Sequence, residues 1–226
     1  MKVITYSSMK DFIDDTLELL LKDEAVNQLL IFTALSKKDL ATNDTLHVGK
    51  VIDENNEVSL IKANFTERLA MNIMEVSEVN DIILPEGNFR QATLEDLPLL
   101  SKWFCQFSLD ATNELIDISI ASSFMKDKIS HGLVYIFENK NKQAVSMAAA
   151  TRQLQNGICI NLVYTDEAFR KKKYGSAVVF NLSKLLLQSG NKFCTLCVDK
   201  SNQISNRIYR KIGYKILDNS YDFRLN

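Results

Sequence analysis

The order of apolar patterns along the chain predicts an α/β fold on a mixed sheet, with a smaller α+β half in front of it. Residues 133–138, 144–152 and 157–165 are apolar and β-prone, and polar turns near residues 139–142 and at Asn156-Gly157 separate them, so they read as a three-strand meander. Helical and extended patterns then alternate: helix over 175–188, strand over 192–199, helix over 202–212 and a final strand. Together with a strand and two helices ahead of the meander, this gives the order β-α-α-β-β-β-α-β-α-β.

The elements follow from local chemistry. Residues 1–6 read as a strand, and Ser8 then opens a helix. Ser8 with Asp11 three residues on has the form of a capping box, and Ile13, Leu17, Leu20 and Leu21 give one apolar face. A second helix is expected over 24–38, a hairpin of 45–53 with 57–64 around Glu54-Asn55-Asn56, and a strand over 68–74. The stretch 75–87 lacks periodicity and holds Pro85 and Gly87. The predicted organisation is an accessory half over 1–80, a linker over 81–87 and a second domain over 88–226. That domain restarts with a strand at 88–92. A second capping box follows at Thr93 and Asp96, ahead of a helix through Leu97, Leu100, Trp103, Phe104 and Phe107. Another helix is expected over 113–129.

Bulk composition narrows the function classes. The 226 residues are 46% hydrophobic and 24% charged, and 27 basic against 28 acidic side chains leave a net charge of −1. Such a balance offers no long-range attraction to nucleic acid or an anionic membrane. The most apolar stretch, 26–35, falls far short of the ~20 residues that span a bilayer, and the first residues carry no secretory pattern. Cys105, Cys159, Cys194 and Cys197 each sit in an apolar run, as buried free thiols do, which points to a reducing cytoplasmic setting. Cys194 and Cys197 form a lone CxxC without a second pair, and His47 and His131 lie far off, so no metal site is expected. Nothing in the sequence sets the oligomeric state.

The most informative stretch runs from Val163-Tyr164-Thr165 through Arg170-Lys171-Lys172-Lys173-Tyr174 to Gly175-Ser176-Ala177. A buried strand ends, and a basic loop leads into a helix that starts with small residues. Free N–H groups at a helix start carry partial positive charge and suit a phosphate. Taken alone, a solvated basic turn explains the run equally well. The second signal is 202–214. Ile204, Ile208 and Ile212 are expected to form a buried stripe, Asn202, Asn206 and Tyr209 to share another face, and Gly213 to close the helix. An asparagine and a tyrosine one turn apart would bind an amide and supply a phenolic proton; a polar solvated face is the plainer reading.

Together the two segments resemble the GNAT superfamily of N-acetyltransferases. The family's cofactor signature, Arg or Gln, two residues, Gly, one residue, then Gly or Ala, maps onto Arg170 through Gly175. The resemblance extends to Val163-Tyr164-Thr165, to Asn206 and Tyr209, and to Lys211-Ile212-Gly213-Tyr214, and covers roughly residues 88–226. Residues 1–74 are compatible with the reduced GNAT-like N-terminal half that one subgroup carries. It implies a mixed, mostly antiparallel GNAT-like sheet flanked by helices. One position departs: Lys173 stands where the signature has glycine. A positive φ there would cost a lysine of order a few kcal/mol. Either the loop avoids that conformation or cofactor affinity falls, with the lysine charge as an offset.

The implied activity is transfer of an acetyl group from acetyl-CoA to a primary amine by direct attack, the acceptor being an unidentified small molecule or peptide. The pyrophosphate of coenzyme A would meet the N–H groups of Lys171, Lys172, Lys173, Tyr174, Gly175 and Ser176, with Arg170 supporting the loop. Val163, Tyr164 and Thr165 would present the pantetheine arm with a strand edge. Asn202 and Asn206 would face the cofactor, with Asn206 on a pantetheine amide and Tyr209 as general acid to the sulfur. Alternation places Asn161 on the face of Val163 and Thr165, where it would hold a relaying water or be a hydrogen-bonded core residue; a bulge would shift that register. Asp199 is the nearest acid, as base or as cap of the next helix. A catalytically weak acetyl-CoA-binding regulatory module is the alternative, and a third reading makes residues 1–74 an interaction module on an inert scaffold.

Overall fold

A computed structural model describes residues 2–6, 8–28, 48–52, 58–59 and 65–225. The chain separates into two compact units, Met1–Arg68 with Tyr221–Asn226, and Leu69–Ser220. The division thus falls upstream of residues 81–87, and Leu69 to Val76 go with the larger unit.

In the smaller unit β1 (Lys2–Tyr6), β2 (Val48–Ile52) and β3 (Val58–Ser59) form an antiparallel sheet in the order β1-β2-β3. The β2–β3 pairing falls within the expected hairpin, with Ile52 opposite Val58. Helix α1 (Met9–Leu21) begins where Ser8 Oγ accepts the Asp11 N–H at 3.1 Å. Its apolar face buries Phe12, Ile13 and Leu20, packed with Tyr6, Leu17 and Leu21. Of the helix expected over 24–38, the part beyond Gln28 lies outside the described residues; residues 24–26 form turns.

The larger sheet contains β4 (Phe65–Val76), β5 (Gly87–Gln91), β6 (Val134–Asn139), β7 (Ala144–Gln153), β8 (Gly157–Thr165), β9 (Phe193–Asp199) and β10 (Lys215–Leu225). Its order is β10-β4-β9-β8-β7-β6-β5. β8 and β9 run parallel, whereas β4–β9, β5–β6, β6–β7 and β7–β8 run antiparallel. β4, read from the sequence as part of the N-terminal half, therefore pairs through Met71–Val76 with β9.

Helices α2 (Leu97–Thr112) and α3 (Ile118–Ser130) cover one face, burying Leu100, Trp103 and Met125 on Ile136, Met147, Leu162 and Tyr164. Helices α4 (Tyr174–Gln188) and α5 (Gln203–Ile212) cover the other, burying Val178, Leu182 and Ile212 on Met74, Ile160 and Leu196. Each such side chain contributes about 1.5–3 kcal/mol through burial. The capping box ahead of α2 forms, with Asp96 accepting the Thr93 N–H at 2.8 Å. Asp96 also binds Arg90, which holds the carboxyl below its usual range, and Arg90 reaches Glu138 on β6 at 2.8 Å. The helix expected over 113–129 begins later. Asn113 closes α2 in a left-handed conformation, φ 56, which asparagine tolerates, and Asp117 caps α3.

Candidate functional site

Strand β8 creates the opening. It pairs with β9 only through Gly157–Cys159 against Phe193–Thr195, so residues 160–165 have no β9 partner. On the other side β9 stays paired with β4 as far as Asp199, opposite Met71. The sheet therefore splits between β8 and β9, and both strands turn unpaired backbone groups into the gap. A bulge sits at the split. Met147 opposes Tyr164 and Ala149 opposes Asn161, leaving Leu162 and Val163 against Ala148 alone, and Leu162 takes φ 51.

The bulge revises the expected alternation. Leu162 and Tyr164 pack with α2 and α3, whereas Ile160 and Val163 pack with α4 and α5. Asn161 opposes Ala149, a member of the α2/α3 cluster. Asn161 thus lies on the opposite face from Val163 and Thr165, because the extra residue turns two successive side chains the same way. Thr165 Oγ1 bonds Ser146 Oγ at 2.9 Å and faces α4. A Cβ at Gly175 would stand 3.0 Å from that Oγ1, which explains a glycine in the first turn.

The start of α4 is open. Lys173 is the N-cap with φ 66 and ψ 9, and no side chain caps the helix, so the N–H groups of Tyr174, Gly175 and Ser176 lack helical partners. The first helical bond runs from the Ala177 N–H to Lys173 O at 3.0 Å. Lys171 is left-handed as well, at φ 64. The loop thus takes the conformation a glycine would take, with lysine in its place. Arg170 supports it, donating to Thr165 O at 3.1 Å and Asp110 at 2.7 Å while its guanidinium lies over the Tyr164 ring. Lys172 donates to Ala168 O and covers Phe169.

On α5 the buried face differs from the expected isoleucine stripe. Ile204 is 64% exposed, whereas Asn206, Tyr209 and Ile212 are buried. The i, i+3, i+6 row turns inward because Tyr209 and Ile212 pack with Tyr214 and α4, leaving Ile204 beyond the edge of that cluster. Asn206 clasps three segments. Its Nδ2 donates to Asp199 O at 2.8 Å and Asn202 O at 2.9 Å, and its Oδ1 accepts from Asn72 Nδ2 at 2.7 Å. Asn202 caps the helix through Oδ1, which accepts the Ser205 N–H. Asp199 accepts from the Ser201 N–H and hydroxyl, a capping arrangement in the turn ahead of α5. Burial pushes the Tyr209 phenol well up, so it is protonated at neutral pH. Its neighbour Tyr214 is tied to Ser183 at 2.7 Å, but the Tyr209 hydroxyl has no hydrogen bond among the described residues. A recess of about 520 Å³ beside α5 is lined by Asn72, Lys200, Asn206, Arg207 and Arg210, and Tyr209 is not part of its lining.

Sequence reasoning missed a polar row on the α2/α3 face of the sheet. Arg152 opposes Cys159, Cys159 opposes Thr195, and Thr195 opposes Glu75. The neighbours of these residues, Ile158, Leu196, Met74 and Val76, point to the α4/α5 face, so the row points to the other. Glu75 makes no hydrogen bond or ion pair among the described residues, and burial raises its carboxyl above the ordinary range. A cation ending an apolar strand was the available signal for Arg152. Glu75 carried none, because its row forms only once an upstream strand pairs with β9. Cys194 packs in the α4/α5 cluster and Cys197 lies on the other face, and all four cysteines are free. Among the described residues no helix is long and apolar enough to cross a membrane.

The FR47-like protein family model matches residues 136–222, the span from β6 into β10. No curated protein matches the chain. Among solved structures, a GNAT-family acetyltransferase from Colwellia psychrerythraea superposes with TM-score 0.54 at 11% identity, over 72% of this chain and 58% of that one. A GCN5-related N-acetyltransferase from Sphaerobacter thermophilus gives 0.55 at 13%, over 70% and 51%. A possible acetyltransferase from Clostridium difficile gives 0.51 at 16%, over 62% and 99%. The matches thus span little more than half the length of the first two structures. With its seven-stranded sheet opened between β8 and β9, the chain has the fold of these GNAT acetyltransferases and carries an FR47-like segment over residues 136–222.

Proposed function

We propose that the protein is an N-acetyltransferase that binds acetyl-CoA in the β8–β9 opening and transfers the acetyl group to a primary amine. The observation that carries this reading is the coincidence of two unsatisfied backbone sets. The free strand edge of residues 160–165 leads directly to the uncapped N-terminus of α4. A chain of amides ending in phosphates fits that order: amides along the strand edge, phosphates on the helix N–H groups. Gly175 keeps the first turn open, Lys171 and Lys173 add charge, and Arg170 fixes the loop to Thr165 and Asp110.

Acetyl-CoA supplies the activated acyl group when bound. Tyr209, protonated and free of other hydrogen bonds, donates to the departing sulfur. Both Asn206 amide hydrogens are engaged, so its role toward the pantetheine narrows to a lone pair on Oδ1, and Asn202 has a free Nδ2 to donate. Glu75 is the proton acceptor for the amine through water, its basicity raised by burial. A weakly catalytic acetyl-CoA-binding module is the second reading; it draws on the two left-handed lysines of the loop.

Calorimetric titration with acetyl-CoA tests the binding half. Gly175→Trp should abolish binding, and unaffected binding would refute the cradle. Tyr209→Phe should lower kcat about 10²-fold or more while leaving acetyl-CoA affinity within twofold. Acetyl-CoA binding without turnover of any amine would favour the second reading.

A further inference from the structure

Two buried side-chain polar atoms in the larger unit lack a hydrogen bond among the described residues: Arg152 Nε and Asn161 Oδ1. Such atoms are costly to leave unpaired, and they are few in folded proteins. Both belong to one place. Arg152 opposes Cys159 on β8, and Asn161 follows two residues later on the same face. Diagonal neighbours of this kind stand roughly 7–8 Å apart, within the span of one small ligand. Arg152 donates a terminal N–H to the Cys159 sulfur at 2.8 Å, but it meets no carboxylate among the described residues. Asn161 makes no hydrogen bond through either end of its amide among the described residues. The pair therefore places an uncompensated cation and an amide acceptor, both on partly buried residues, on the face of β8 opposite Val163.

Resting on the transferase reading above, we propose that this pair is the acceptor subsite and that the acceptor is an amine carrying an acidic group. Arg152 takes the carboxylate or phosphonate oxygens through Nε–H and its remaining terminal N–H groups. Asn161 Oδ1 accepts an N–H of the amine and aims its lone pair at the β8–β9 opening. In the transfer the amine nitrogen forms the C–N bond to the acetyl carbon as the C–S bond breaks. The amine loses one proton, through water to the Glu75 carboxylate, and coenzyme A leaves as the thiol with a proton from Tyr209. A plain alkylamine satisfies only Asn161 and leaves the guanidinium unpaired, so the site selects against it.

The test compares acceptors differing only in the acid group: leucine with isoamylamine, phenylalanine with phenethylamine, and 2-aminoethylphosphonate with ethylamine. Initial rates with acetyl-CoA should favour at least one acid-bearing member by about 30-fold or more in kcat/KM. The carboxylate and phosphonate arms separate the two kinds of anion. Arg152→Gln should bring that ratio close to one, while Arg207→Gln on the outer face of α5 keeps it. Calorimetry without acetyl-CoA should show the favoured acid binding to wild type and roughly 30-fold weaker or undetectable binding to Arg152→Gln. Equal rates for both members of every pair, or a ratio unchanged in Arg152→Gln, would overturn the assignment. Acetyl-CoA binding on the same samples separates the two readings. If acetyl-CoA binds and no acid is preferred, the acceptor assignment alone fails. If acetyl-CoA does not bind but the acid does, through Arg152, the subsite stands and the transferase reading fails.

Discussion

Replacing Lys173 with glycine should stabilise the protein and, on the proposed acetyl-CoA reading, weaken the binding of that ligand at the same time. Lys173 sits at φ 66 and ψ 9, a left-handed conformation that costs a residue with a Cβ about 1–2 kcal/mol. Glycine removes that cost but gives back about 0.4–1 kcal/mol through its freer unfolded chain. The net gain is about 0.5–1 kcal/mol, or roughly 1–4 °C in Tm for a unit of this size. The charge acts in the other sense. A solvated lysine beside a phosphate is worth about 0.5–1 kcal/mol, so Lys173→Gly should weaken acetyl-CoA binding about two- to fivefold, and less at high salt. Lys173→Ala separates the two effects, since it removes the charge and keeps the strain. Urea unfolding and calorimetry on the three proteins check both. A glycine variant less stable than wild type would refute the strain argument. An alanine variant binding acetyl-CoA as tightly as wild type would refute the charge argument.

Other substitutions probe other parts. Asn206→Ala removes three hydrogen bonds, one joining α5 to β4, one to the end of β9 and one to the helix's own N-cap residue, Asn202. It should cost about 2–3 kcal/mol and lower Tm by about 5–10 °C; an unchanged Tm would mean the clasp is not formed. Burial pushes the thiols of Cys194 and Cys197 up to about 12 and about 11, so little thiolate exists at pH 8. Iodoacetamide should leave both unmodified in the native protein and label them after unfolding; rapid native labelling of Cys194 would contradict its burial. Glu75→Gln should lower kcat without changing acetyl-CoA affinity, and undiminished turnover would remove Glu75 from the reaction.

The sequence disclosed what depends on neighbours in the chain. The meander of β6 to β8, the capping residues Ser8 and Thr93, and the closing Gly213 are local signals, and each stands where its chemistry placed it. The basic loop was legible because charge and glycine spacing are also local. Readings that needed a partner from afar went astray. The exposure of Ile204 depends on where α5 meets Tyr214 and α4, which the helical period of α5 does not encode. The face of Asn161 depends on one extra residue at Leu162, and no residue type there announces a left-handed leucine. Glu75 enters the polar row only because β4 pairs with β9 across more than a hundred residues.

The distribution of strain argues that these features belong together. Five non-glycine residues take positive φ among the described residues: Asn113, Lys142, Leu162, Lys171 and Lys173. The first closes α2 and the second lies in the β6–β7 turn, both ordinary uses of that conformation. The other three fall within one stretch of twelve residues and serve no turn that glycine would not serve better. Strain of about 1–3 kcal/mol per residue persists only where surrounding packing enforces it. Here Leu162 is enforced by Trp103, Tyr164 and the α2/α3 cluster, and the loop by Arg170 bound to Thr165 and Asp110. The outcome at the Leu162 end is a strand edge freed from β9; at the Lys173 end it is a helix start freed from any cap. A fold selected for stability alone would zip the strands together and cap the helix. Keeping both open at one end of β8 makes sense if a ligand with amides and phosphates completes them, and that ligand should bind the native state and raise its stability.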